Sequence, residues 1–131
     1  MTIQEFTEYL KTICHFNKYY VNTIDEKQQF VLGVYNSKNK SNKMTRFKAL
    51  HKVKDFSLLV HVCRNSLDSV LKAQELYDAL YNVNRVPSLG IDYIQLLYDE
   101  PVYIGQTSMG IFEYVIDVRI YYKTENKGVK E

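Results

Sequence analysis

The chain has no tryptophan and, among its 131 residues, only two cysteines, two prolines and five glycines. Two cysteines, Cys14 and Cys63, cannot supply the disulfide framework of a small secreted domain, and both sit beside apolar neighbours as buried thiols do. A reducing compartment is the expectation. So little Pro and Gly excludes collagenous or low-complexity sequence. The chain also lacks an excess of charge: 17 Lys+Arg against 15 Asp+Glu leave +2, too small a bias to imply nucleic acid or acidic lipid by itself. No apolar run approaches the about 18 residues of a membrane span, and Met1-Thr-Ile-Gln-Glu5 lacks the basic-then-apolar order of an export signal. Neither export nor membrane insertion is expected.

What is present suits one core. Hydrophobic residues make up 46% and charged residues 24%, an ordinary globular balance, and the length fits a single domain over 1–131 with a frayed polar tail at 124–131. Twelve tyrosines stand out. An apolar ring with a polar tip serves half-buried sheet faces, subunit interfaces and base stacking alike, so the count does not choose among them.

Thr2-Ile-Gln-Glu5 has the form of a capping box, and Ile3, Phe6, Leu10 and Ile13 follow at helical spacing, which predicts a first helix to about Cys14. The β-branched and aromatic run 16–24, the polar Asp25-Glu-Lys27 and the apolar run 30–35 predict a β-hairpin. Residues 36–43 are polar throughout and predict a loop. Lys38, Lys40, Lys43, Arg46, Lys48, Lys52 and Lys54 then concentrate positive charge with no intervening acid. Residues 56–63 are apolar on most of both faces and predict a central strand. Asn65 or Ser66 can cap a second helix reaching about Asn82, with Leu67, Val70, Ala73, Tyr77 and Leu80 as its apolar stripe. A strand over 91–98, a break at Pro101 and a loop holding Gly105 and Gly110 come next. The last strand alternates, with Phe112, Tyr114, Ile116, Val118, Ile120 and Tyr122 on one face and Glu113, Asp117 and Arg119 on the other. Without βαβ alternation, the order implies an α+β domain: an antiparallel or mixed sheet with both helices packed on one face.

Residues that would converge for catalysis are few. His61 and Cys63 lie two apart on a predicted strand and, with Cys14 or His15, are the candidate zinc set, but no Cys-x-x-Cys or His-x-x-x-His spacing accompanies them. A half-buried histidine and a core thiol are the expectation, with no metal and no cofactor. The segment from Gly105 to Gly110 lacks the Gly-Lys-Ser/Thr of a phosphate loop and precedes a strand. Asp99 and Glu100 are adjacent on predicted extended chain, which turns their carboxylates apart and suits a solvated turn better than acid–base work. No Gly-x-Ser-x-Gly nucleophile motif occurs. The chain is not expected to be an enzyme or to take a small-molecule substrate.

Several segments, in order over nearly the whole length, resemble the minor capsid or tail-terminator proteins of long-tailed phages and prophages. They are Leu32-Gly-Val-Tyr-Asn36, Ser57-Leu-Leu-Val-His61, the helix pattern Ala73, Tyr77 and Leu80, Glu100-Pro-Val102, and Gly110-Ile-Phe-Glu-Tyr-Val-Ile116 running on to Tyr121-Tyr122. Val62 departs from the pattern, which has an aromatic there. The resemblance implies a structural virion protein: a self-associated ring, typically a hexamer, that caps the finished tail tube, ends its polymerisation and offers the surface on which the head connector docks. Its implied partners are the tail-tube and head-connector proteins. Its implied location is the bacterial cytoplasm during assembly and then the head–tail junction. Loop 36–43 is where ordering on assembly would map.

A ring needs a heterologous interface, one surface meeting a different one on the neighbour. The segregation of charge along the sequence points to Lys40, Lys43, Arg46 and Lys48 of one copy facing Asp99, Glu100 and Glu113 of the next, or of the tube protein. The alternative is a small nucleic-acid-binding module that uses the basic segment 38–54 and exposed tyrosines. The small net charge argues against it.

Overall fold

A computed structural model describes residues 1–37 and 52–123. Helix α1 (Ile3–Ile13) begins with the capping box that its sequence announces: Thr2 accepts the Glu5 N–H, and Glu5 accepts the Thr2 N–H at 2.8 Å. Its inward residues Ile3, Phe6 and Leu10 follow the helical repeat. Strands β1 (Lys18–Val21), β2 (Val31–Asn36) and β3 (Lys52–His61) precede helix α2 (Ser66–Tyr81), whose N-cap Asn65 accepts the Asp68 N–H. A 3-10 turn, Pro87–Leu89, closes on Gly90 at φ 73° and feeds β4 (Ile91–Leu96). β5 (Val102–Gln106) and β6 (Phe112–Tyr122) complete one sheet.

The strands run in the order β1-β2-β3-β6, and the far side of β6 is shared by β4 along its C-terminal half and β5 along its N-terminal half. β1 pairs β2 in parallel, with Lys18 opposite Val31, while every other pair is antiparallel. The sheet is therefore mixed and the fold α+β. The expected hairpin does not exist. Residues 22–30 cross back over the sheet instead of turning, a connection that Gly33 permits: a Cβ there would lie 2.8 Å from the Thr23 carbonyl oxygen and 3.2 Å from Ile24 Cβ. Asn22 and Phe30, at the two ends of the crossover, both take positive φ. An apolar, β-branched run specifies extended chain but carries no direction, so the same residues suit either pairing.

β3 is central, and both helices cover the same sheet face. Leu32 and Val34 of β2, Phe56, Leu58 and Val60 of β3, and Tyr114, Ile116, Val118, Ile120 and Tyr122 of β6 meet Phe6 and Leu10 of α1 and Ala73, Leu76 and Leu80 of α2 in one buried cluster. Phe6 stacks on Phe56 with ring centroids 5.1 Å apart. Val62 packs fully buried in this core. The opposite sheet face carries cross-strand polar pairs. Arg119 grips Asp55 through two bonds of 2.8 and 3.0 Å, Ser57 donates to Asp117 at 2.6 Å, and Tyr121 donates to Gln95 at 2.9 Å.

Three further expectations are corrected. The inward stripe of α2 is Ser69, Ala73, Leu76 and Leu80, not one containing Leu67 and Val70, which face outward. Ser69 is tolerated inside because its hydroxyl bonds the Cys63 carbonyl at 3.3 Å. The predicted loop around Gly105 contains strand β5. Gly105, at φ 129°, sits at an irregularity in register between Tyr103 and Gly105, where a strand accommodates glycine as a bulge. The strand predicted over 91–98 ends at Leu96, with Leu97 bonding Asp117 before the Pro101 break.

Candidate docking surface

The turn in α2 phase leaves its N-terminal apolar residues without cover. Leu67 is 64% exposed and Leu71 58%, and Val70 lies between them on the outer side. Val70 faces strand β5 across a hollow of about 480 Å³, whose walls are Tyr98, Asp99, Glu100, Pro101, Val102, Tyr103 and Tyr114. A second hollow of about 380 Å³ continues it between the C-terminal half of α2 and β4, lined by Tyr77, Tyr81, Val83, Asn84, Tyr93, Ile94, Leu96, Tyr98 and Asp99. Tyr98 and Asp99, in the turn between β4 and β5, belong to both. The Tyr77 hydroxyl donates to the Tyr98 carbonyl at 2.8 Å, which ties that turn to α2.

Six of the twelve tyrosines, Tyr77, Tyr81, Tyr93, Tyr98, Tyr103 and Tyr114, thus gather along one edge of the domain. Burial, followed by the nearby Asp99 carboxylate, pushes the Tyr77 phenol above its ordinary pKa, and burial followed by Tyr103 does the same to Tyr114. These rings stay neutral and present an apolar wall with hydroxyl tips. Exposed apolar surface in one contiguous region, bordered by charge, is the signature of an interaction site.

Of the acids singled out by sequence, Asp99 and Glu100 come together at this hollow, and neither forms an ion pair among the described residues. Glu113 does not join them. Strand alternation places it on the face opposite Tyr114, with its carboxylate 2.7 Å from Nε2 of the buried His61. That approach is off the hydrogen-bond line, so neither ring nitrogen of His61 has an aligned partner among the described residues. Lys40, Lys43, Arg46 and Lys48, and most of loop 36–43, lie outside the described residues. Asn36 ends β2, and the Ser37 N–H bonds the Asp55 carbonyl.

The candidate zinc set does not converge. His61 ends β3 on the polar face, whereas Cys63 lies past the strand with Sγ 3.5 Å from Ser69 Oγ under α2. Cys14 lies elsewhere, 3.7 Å from Glu75, and burial pushes its thiol up to about 11. His15 is exposed. Among the described residues no group of three or more His, Cys, Asp or Glu could hold a metal ion, and no helix is long and apolar enough to cross a membrane.

The tyrosine edge was missed by sequence reading because its parts come from α2, β4, β5 and β6, which are remote along the chain. The one local signal was a second apolar stripe in α2, Leu67, Val70 and Leu71 at i, i+3 and i+4, on the side away from Ala73, Leu76 and Leu80. No protein-family model and no curated protein matches the chain. Function has to be read from the geometry.

Proposed function

We propose that this protein is a structural assembly protein whose copies join head to tail into a closed ring. Following the resemblance to tail-terminator proteins, the ring caps a phage tail tube, ends its polymerisation and presents the head-docking surface. It assembles in the host cytoplasm and ends at the head–tail junction. The observation that carries this reading is the uncovered edge itself: Tyr98, Tyr103, Val70, Leu67 and Leu71 in the open, beside two carboxylates that the described residues leave unmatched. A surface of this composition at one edge of the described residues suits a heterologous contact, which closes when rotation permits.

Asp99 and Glu100 are the acceptors in this scheme, and Lys40, Lys43, Arg46 and Lys48 of the neighbour are the donors. Glu113, held against His61 on the other face, is left out of the patch. The two carboxylates also disfavour a phosphate backbone in the same hollow, which weakens the nucleic-acid alternative.

The test is a charge exchange followed by mass. Asp99→Lys with Glu100→Lys, and separately Arg46→Glu with Lys48→Glu, should each remove the assembled species. Mixing the two variants should restore a contact between unlike copies. If both charge-reversed proteins assemble as the parent does, this pairing is wrong.

A further inference from the structure

The sheet has three strands on its outer sides, and they are not equally defended. Strand edges in stable monomers are blunted by lysine, proline or charge, because an open edge pairs with any extended chain it meets. β1 begins with Lys18, and β4 carries Asp92, which is paired with Arg85 at 3.2 Å and Lys123 at 3.6 Å. β5 reads Val-Tyr-Ile-Gly-Gln, without one charged residue. It pairs only with β6 among the described residues, yet Tyr103 is 52% exposed and Ile104 50%. Such an edge, with a side-chain hollow next to it and two carboxylates at the mouth, has the parts of a strand-addition site. Main-chain bonds supply affinity there, and pockets for alternate side chains supply selectivity.

We infer that β5 accepts an added strand from a second copy of this chain. The occupant is fixed by chemistry. The hollow is apolar and aromatic and its mouth is anionic, so it calls for an apolar side chain flanked by cations. Arg46-Phe-Lys-Ala-Leu50 alternates basic with apolar residues in that way. By its chemistry Phe47 matches a hollow walled by Tyr98 and Tyr103, and Arg46 and Lys48 match the charge of Asp99 and Glu100. This inference rests on the assembly reading and specifies its contact.

The experiment uses the full-length protein and a fluorescein-labelled synthetic peptide of residues 42–50, followed by anisotropy. An added strand bonds its neighbour through alternate residues only. Backbone N-methylation at Arg46 and Lys48, or at Phe47 and Ala49, should therefore act unequally. One pair should weaken binding about tenfold or more through two lost hydrogen bonds, and the other should leave it nearly unchanged. Asp99→Asn with Glu100→Gln should also weaken the parent peptide, while circular dichroism stays that of the wild type. Equal binding of both methylated peptides, or equally tight binding of a nonamer of lysine, overturns strand addition. Failure here is separable from failure of the ring. Closed rings formed by a protein that does not distinguish the methylated peptides leave the ring reading standing without this contact. Selective peptide binding by a protein that never forms rings leaves the strand site standing without the ring.

Discussion

The two ends of the sheet are built from similar residues and finished differently. At the β1 end, aromatic and aliphatic side chains are all given cover. Phe6 and Leu10 of α1 are fully buried, and Phe16 is enclosed between the edge of Tyr19, at 5.9 Å, and the Lys72 ammonium, at 4.8 Å. The Tyr19 hydroxyl accepts the Phe16 N–H at 2.8 Å and donates to the Cys14 carbonyl at 2.6 Å, so even the polar tip is satisfied. At the β5 end, Tyr98, Tyr103, Ile104 and the outer leucines of α2 stand in solvent with no such closure. A chain able to finish one end with caps, crossovers and latches did not run out of means at the other. On the assembly reading proposed above, the difference marks surface set aside for a partner.

That contrast can be broken most forcefully at the closed end. Phe6→Ala removes a ring stacked on Phe56 and leaves a cavity that α1 and the sheet cannot both fill, so a loss of about 3–5 kcal/mol is expected in denaturant titration. The same truncation at the open end, Leu71→Ala, should change stability by no more than about 0.5 kcal/mol. Comparable losses at the two positions would abolish the distinction.

Gly33→Ala probes the crossover that finishes the β1 end. The new methyl meets backbone at 2.8 Å, which cannot rotate away, and a cost of about 1–3 kcal/mol is expected. An unchanged denaturation midpoint would mean that residues 22–30 do not rest on β2 as described.

Alkaline pH sharpens the comparison through groups on the covered face. Cys14 is raised from 9.0 to about 11, and burial raises Tyr9 and Tyr122 above their ordinary 10.0. Groups that hold protons more tightly when folded stabilise fully below their unfolded pKa. That contribution disappears as pH rises through the folded value. Stability should therefore be level to about pH 9 and fall between 9 and 11, by about 1–2 kcal/mol from Cys14. The decline should be shallower in Cys14→Ala. A variant with the parent's slope would show that the thiol is not the source.

The smallest effect on stability should accompany the largest effect on assembly. Leu67→Lys with Leu71→Lys adds charge to the open face of α2 without touching the core. The melting temperature should hardly move while the assembled species disappears.

Patterns that depend on neighbours in sequence were legible from the start. The capping box of α1, the alternation of β6 and the apolar β3 each fix an element by local chemistry, and together they imply the one-sided α+β layout. What local pattern could not carry was direction and phase. The β1 and β2 residues read equally well as a hairpin, and the crossover shows only in their parallel pairing and the close approach at Gly33. In α2 two overlapping stripes compete, and Ser69 wins a core position through its bond to Cys63, a partner outside the helix. β5 was hidden by Pro101 and Gly105, residues that signal a break yet are accepted at a strand entrance and a bulge. Half of the site was similarly out of reach. Asp99 and Glu100 were visible as a pair, but the tyrosines that give the pair its meaning converge only in three dimensions.

The most direct test of the proposed ring is mass by multi-angle light scattering across a concentration series of the full chain, with negative-stain images of the largest species. The account predicts growth from single copies to one closed species of fixed mass, seen as rings, which the Leu67→Lys, Leu71→Lys variant fails to form. A wild type that stays a single copy at every concentration, indistinguishable from that variant, would contradict it.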